Sequence, residues 1–173
     1  MASLTFLGNP VKTNAQFPAV GTEAPEFTLT RSHDNSPFKS TDLLGHGKLT
    51  VISVFPSVDT PVCSKQTKEF VTSKFIKEHG VQLMNISMDL PFAQNRHSES
   101  CGFTDPTTMY SDHIKAEFGT KYGMLLPDMR LLARGVFVVD KAGKIAYVQV
   151  PTEISHEVDF AALYAKLEEL EKQ

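Results

Sequence analysis

The stretch Leu49-Thr50-Val51-Ile52-Ser53-Val54-Phe55, running into Pro56-Ser57-Val58-Asp59-Thr60-Pro61-Val62-Cys63, decides the fold. Its first half, LTVISVF, is almost uninterruptedly apolar and β-branched. Such a run marks a strand buried on both faces of a sheet covered by helices, so it is placed at the sheet centre. From Lys65 to His79 the period changes: Phe70, Val71, Phe75 and Ile76 recur at helical spacing, and Gly80 follows as a stop. Val81 to Met88, VQLMNISM, is again strand-like. Strand, helix and strand in succession imply a parallel pair joined by a right-handed crossover.

Working outward, Leu4 to Leu7 and Val11 to Thr13 flank Gly8-Asn9-Pro10, which predicts a small N-terminal hairpin. Glu26 to Thr30 alternates as a short strand does. The polar segment from Asp89 to about Asp112 predicts a short helix near Phe92 to Arg96 and then a loop. Val136 to Asp140 and Lys144 to Val150 bracket the turn signal Lys141-Ala142-Gly143. Phe160 to Gln173 is amphipathic, with Leu163, Leu167 and Leu170 on one stripe. This order is that of an α/β thioredoxin-like fold, a central mixed sheet flanked by helices with an N-terminal β-hairpin, in a single domain over residues 1–173.

Composition narrows the function. With 173 residues, 41% hydrophobic and 21% charged, the chain is long enough to bury a core without disulfides or metals. A net charge of -3, with no long Lys/Arg cluster, leaves no footprint for nucleic acid. The start, MASLTFLGNPV, lacks the basic segment of a secretory signal, and no apolar run reaches membrane-spanning length. A cytoplasmic protein with no membrane partner is the simplest expectation. Two cysteines are too few for a secreted disulfide scaffold.

Cys63 lies where the buried strand gives way to a helix. Thr60 is a favoured N-cap, and Pro61 suits the first helical position because its missing N–H would be unpaired there. Cys63 then falls at the third position, near unpaired backbone N–H groups and the positive end of the helix dipole, which favour a thiolate. Two readings stand side by side: a nucleophile, and a small buried hydrophobe of the kind many free cysteines are.

Arg134, in LLARGVFVV, stands at the mouth of an apolar strand. Burying a guanidinium there calls for an anionic partner, which a thiolate or a bound substrate could be. The alternative is an Arg that reaches solvent or pairs with a carboxylate such as Asp128. Cys101 lies 38 positions beyond Cys63, in Ser98-Glu99-Ser100-Cys101-Gly102, with little apolar context. It reads either as an incidental exposed thiol or as a disulfide partner, and spacing alone supplies no geometry for the latter.

Cys63, Cys101, His97 and His113 could in principle hold a metal, but neither cysteine belongs to a C-x2-C pair, so no metal is expected. His33, His46, His79 and His156 read as surface residues. The missing C-x-x-C argues against a dithiol oxidoreductase.

Pro56, Thr60 and Cys63 match, position for position, the Pro-x-x-x-Thr/Ser-x-x-Cys motif of the peroxiredoxin superfamily, which the chain resembles. It is most similar to the thiol peroxidases, atypical two-cysteine peroxiredoxins of bacteria. That narrower likeness rests on Thr5 to Val11 (TFLGNPV), Phe55 to Cys63, Asp89 to Gln94 (DLPFAQ) and Leu132-Ala133-Arg134, in the family's order.

The resemblance implies reduction of hydrogen peroxide and organic hydroperoxides. Cys63 would be the peroxidatic cysteine, Thr60 would hydrogen-bond at the thiolate and peroxide, Arg134 would stabilise the developing charge, and Pro56 would shape the pocket. Cys101 would resolve the sulfenic acid as an intramolecular disulfide with Cys63, reduced in turn by thioredoxin. No cofactor is implied, and a homodimer is. One departure stands out: the family's Arg-aromatic-Cys-Gly pattern is lengthened here, with His97-Ser98-Glu99-Ser100 between Arg96 and Cys101. The second reading is a thioredoxin-fold binding or redox-sensing module in which Cys63 oxidises as a signal, and the third, left open by the lengthened loop, is a peroxidase in which an external thiol resolves Cys63 and Cys101 plays no part.

Overall fold

The strand expected at the centre is there: β5 (Thr50–Val54) is buried at every residue. In the computed structural model, which describes residues 2–103, 105 and 108–173, it lies between β6 (Gln82–Ser87) and β10 (Gly135–Val139). β5 and β6 are parallel, with Thr50 opposite Gln82 and Val54 opposite Ile86. β10 is antiparallel to β5, with Gly135 opposite Val54 and Val139 opposite Thr50. Outside β10 lies β11 (Ile145–Gln149). On the other side come β7 (Met109–Ser111), parallel to β6, then β3 (Thr28–Arg31) and β4 (Pro37–Lys39). The result is a seven-stranded mixed sheet of thioredoxin-like α/β architecture.

Alternation along β5 feeds two cores. Val51 packs with Val136, Val138 and Leu83 beneath Phe70, Ile76, Leu163, Leu167 and Leu170. Those last five side chains come from α1 (Pro61–Val71), α2 (Lys74–Glu78) and α5 (Phe160–Glu171). Ile52 and Val54 face the other way, with Met84, Ile86 and Phe137, toward Phe118 of α4 (Glu117–Lys121) and Leu4 of the N-terminal hairpin. Phe27, Phe118, Tyr122 and Phe137 meet there in edge-to-face and stacked contacts.

Several expectations shift. The hairpin pairs β1 (Ser3–Phe6) with β2 (Asn9–Lys12), so its turn is Leu7-Gly8 and not Gly8-Asn9-Pro10. Both turn residues have positive φ, 52° and 81°, as the two-residue turn matching strand twist requires. The helix expected from Lys65 to His79 begins at Pro61 and breaks in two. Ser73 adopts an extended conformation and its hydroxyl caps α2, accepting from the Ile76 amide at 3.3 Å. Gly80, at φ 62°, ends α2 as expected.

The short helix near Phe92 to Arg96 is instead α3 (Pro91–Ser100), which carries Cys101 at its C-cap. Part of the loop expected beyond it, at Thr104, Pro106 and Thr107, lies outside the described residues. The small elements β4, β7, α4 and the pair β8 (Leu125–Leu126) with β9 (Leu131–Leu132) have patterns too short to read by period.

Candidate active site

β5 delivers the chain to a loop, Phe55 to Thr60, and the loop to the start of α1. Thr60 caps that helix: its φ of -102° and ψ of 144° are extended, and its Oγ1 accepts from the Cys63 amide at 3.3 Å. Pro61 occupies the first helical position and Cys63 the third, as local chemistry predicts. The Thr60 hydroxyl also donates to the Ser57 carbonyl at 3.3 Å. Pro56 is buried in the loop leaving β5. The Cys63 side chain is 0% exposed and packs with Phe55, Val58 and Met109.

Arg134 is the residue that alters the meaning of that burial. The antiparallel register places Gly135 opposite Val54, so Arg134, one residue earlier, emerges beside the loop that follows β5. A Cβ at Gly135 would come within 2.9 Å of the Gln149 carbonyl oxygen, so only glycine lets β10 pass so close to β11 at this point. Arg134 is 2% exposed, neither reaching solvent nor depending on Asp128. Its Nη2 donates to Cys63 Sγ at 3.1 Å, its Nη1 to Gln66 Oε1 at 3.0 Å, and its Nε to the Ile154 carbonyl at 2.6 Å. The buried guanidinium thus has two neutral oxygen acceptors and one sulfur as its partners.

Gln66 and Asp89 are the contributors that sequence reasoning missed. Gln66 lies one turn beyond Cys63 on α1, and its Nε2 donates to Ser53 Oγ at 2.8 Å and to the Val54 carbonyl at 3.2 Å. It therefore ties Arg134 to the end of β5. Its i, i+3 spacing from Cys63 was the available signal. Asp89, just after β6, holds the cysteine loop: Oδ1 accepts from Ser57 Oγ at 2.8 Å, and Oδ2 from the Val58 amide at 2.9 Å and from Ser87 Oγ at 2.6 Å. No spacing in the chain points to a contact between residues 31 or 32 positions apart.

Cys101 belongs to a different neighbourhood. It is half-buried at the end of α3, with its sulfur 3.8 and 3.9 Å from the two ring nitrogens of His97. Both cysteines are free thiols in this structure, so the Cys63–Cys101 disulfide is not formed. Cys63, Thr60 and Arg134 are brought together, whereas Cys101 is not bonded to them. α3 reaches the cysteine loop through Arg96, whose Nη2 contacts Asp59 Oδ1 at 3.0 Å across solvent. Of the residues considered for metal, His113 lies instead 2.8 Å from Ser111 Oγ. Among the described residues no group of three or more His, Cys, Asp and Glu side chains is placed to hold a metal ion.

A thioredoxin-like sheet that delivers a buried sulfur to a buried guanidinium is the architecture of a thiol-based redox protein. Comparison with known proteins makes this particular: the redoxin family profile matches residues 19–167, and the chain belongs to that family. It is 42% identical over 167 residues to a thiol peroxidase of Oceanobacillus iheyensis, covering 96% of this chain and 99% of that protein. A crystal structure of a peroxiredoxin-like protein from Aquifex aeolicus superposes with a TM-score of 0.86, at 35% identity over 98% of each chain. A thiol peroxidase from Chromobacterium violaceum shares the fold, with a TM-score of 0.81 at 21% identity, over 99% of this chain and 98% of that one.

Proposed function

We propose that this protein is an enzyme that reduces hydrogen peroxide and organic hydroperoxides to water and alcohols, with Cys63 as the peroxidatic residue. The observation that carries the reading is the 3.1 Å hydrogen bond from Arg134 to Cys63 Sγ at a capped helix N-terminus. Kinship with thiol peroxidases supports the same chemistry.

The sulfur attacks as thiolate. Its electron pair forms a bond to the terminal peroxide oxygen, the O–O bond breaks, and the leaving oxygen takes a proton to depart as water or alcohol. Cys63 is left as a sulfenic acid. Arg134, preorganised by Gln66 and Ile154, spreads positive charge over the sulfur and the oxygen that gains charge. The Thr60 hydroxyl orients the incoming peroxide, and Pro56 keeps the sulfur out of bulk water. Phe55, Val58 and Met109 line the sulfur with apolar surface, which suits organic hydroperoxides.

Cys101 then attacks the sulfenic acid, displacing water and forming a disulfide with Cys63. Because Cys63 is wholly buried in the first turn of α1, that step requires the turn to open. Thioredoxin, a dithiol reductant, returns both cysteines to thiols. The reading extends to a homodimer acting in the cytoplasm, as the resemblance to thiol peroxidases implies. No helix among the described residues is long and apolar enough to cross a membrane.

The test is peroxide-dependent NADPH oxidation through thioredoxin reductase and thioredoxin. Wild type turns over and Cys63→Ser does not; undiminished turnover in Cys63→Ser overturns the assignment. Full thioredoxin-linked activity in Cys101→Ser removes the resolving role.

A further inference from the structure

We infer that His97 is the general base that takes the proton of Cys101 as this thiol attacks oxidised Cys63. The inference rests on Cys101 being the resolving residue and adds what that residue needs in order to act. A free thiol is mostly protonated near neutral pH, and only the thiolate attacks.

His97 and Cys101 lie four positions apart on α3, so their side chains share one helix face. The Cys101 amide donates to the His97 carbonyl at 3.0 Å, which holds that spacing at the end of the helix. The sulfur stands 3.8 Å from Nε2 and 3.9 Å from Nδ1, nearly the same distance from both ring nitrogens, so a turn of the imidazole or of the thiol brings one nitrogen into line before the proton moves. His97 is 8% exposed, and the Phe103 ring packs edge-on against it at 5.8 Å between centroids. The Phe103 amide bonds back to the Ser98 carbonyl at 3.0 Å, so this cover belongs to the helix end.

The charged groups around the ring come from three segments. Burial is the main influence and pushes the imidazole below its ordinary range; Asp59 and Asp89 pull it upward, and Arg96 on its own helix pushes it down. The net downward direction favours the neutral ring, the form that accepts a proton.

The step balances. The Cys101 S–H bond breaks and its proton passes to the imidazole, while the sulfur electron pair forms the S–S bond to Cys63. The Cys63 S–O bond breaks, and the departing hydroxide takes a proton from the imidazolium to leave as water. Cys101 is oxidised and the sulfenic sulfur reduced, and His97 ends neutral.

The experiment is a single peroxide pulse on the reduced enzyme, quenched with an alkylating reagent and read by mass spectrometry as disulfide against free thiol. His97→Phe keeps an aromatic ring against Phe103 and removes the base. It is expected to slow disulfide formation at least about tenfold near pH 7, with the deficit shrinking toward pH ~9, where a thiol ionises unaided. The rate at which peroxide oxidises Cys63 is unchanged. His97→Ala gives the same deficit, and added imidazole restores part of the rate, which a merely structural role does not allow. Wild-type rate and pH profile in both variants overturn the assignment of His97 alone. A wild type that forms no Cys63–Cys101 disulfide overturns the reading beneath it.

Discussion

Arg134 Nη2 donates to Cys63 Sγ at 3.1 Å across 71 positions of sequence, and both side chains are buried. Among the described partners of this guanidinium, which cannot lose its proton, the sulfur is the one able to ionise, and the proposed chemistry rests on that pair. Arg134→Met is expected to lower the peroxide rate constant of Cys63 by about 100-fold or more, in line with the loss of a preorganised charge-stabilising donor. Stopped-flow oxidation measures it, with ultraviolet thiolate absorbance as the accompanying titration. An unchanged rate and titration would sink the role given to this residue.

Gln66 acts through Arg134 and is a positioning residue. Gln66→Leu removes the acceptor of Arg134 Nη1 and the donor to Ser53 and Val54. The expected outcome is a peroxide rate lowered about tenfold, with a stability loss of about 1–3 kcal/mol from buried groups left unpaired. Urea unfolding and kcat/KM, measured on the same protein, separate the two. Lost stability with unaltered kcat/KM would reduce Gln66 to a packing residue.

Asp89 clamps the loop that carries Cys63. In Asp89→Ala the Ser57 hydroxyl and the Val58 amide both lose their acceptor, so the loop opens more often. Alkylation of Cys63 by iodoacetamide is expected to speed up at least about threefold as local opening becomes easier. Peptide mass mapping checks the site, and alkylation no faster than wild type would show that the clamp does not control access.

Asp112 makes stability depend on pH. Burial pushes its carboxyl up to about 6, against the pull of amide donors from Gly119, Phe118 and Glu117. A carboxyl with a folded value above the unfolded ~3.9 holds its proton more tightly when folded. Its contribution is therefore fully present below pH ~4 and is lost as pH rises through about 6. Relative to Asp112→Asn, the wild type is expected to lose on the order of 2 kcal/mol between pH ~4 and ~7. Urea midpoints across that range provide the check, and parallel profiles for the two proteins would contradict it.

Much of the site could be read locally. LTVISVF identified a strand buried on both faces because alternation and branching are properties of consecutive residues, and β5 is so buried. Thr60, Pro61 and Cys63 could be placed at cap, first and third positions because capping is decided within one turn. Reading failed where a competing local rule applied. Ser73 capped a second helix inside a continuous helical period, and α3 ran on to Ser100 through residues whose apolar spacing is too sparse to predict a helix.

For Arg134, sequence left solvent, Asp128 and Cys63 as alternatives, and the antiparallel pairing of β10 with β5 selected among them. The same holds for Asp89 on the cysteine loop and for Gln66 between Arg134 and β5. The sequence by itself determined the central strand, the capped helix and the place of Cys63 at its third position, since each depends on neighbours within a few residues. The tertiary structure alone decided what surrounds the two sulfurs, a guanidinium at Cys63 and an imidazole at Cys101. Strand register and helix length set those contacts, and both are settled by burial summed over the whole core.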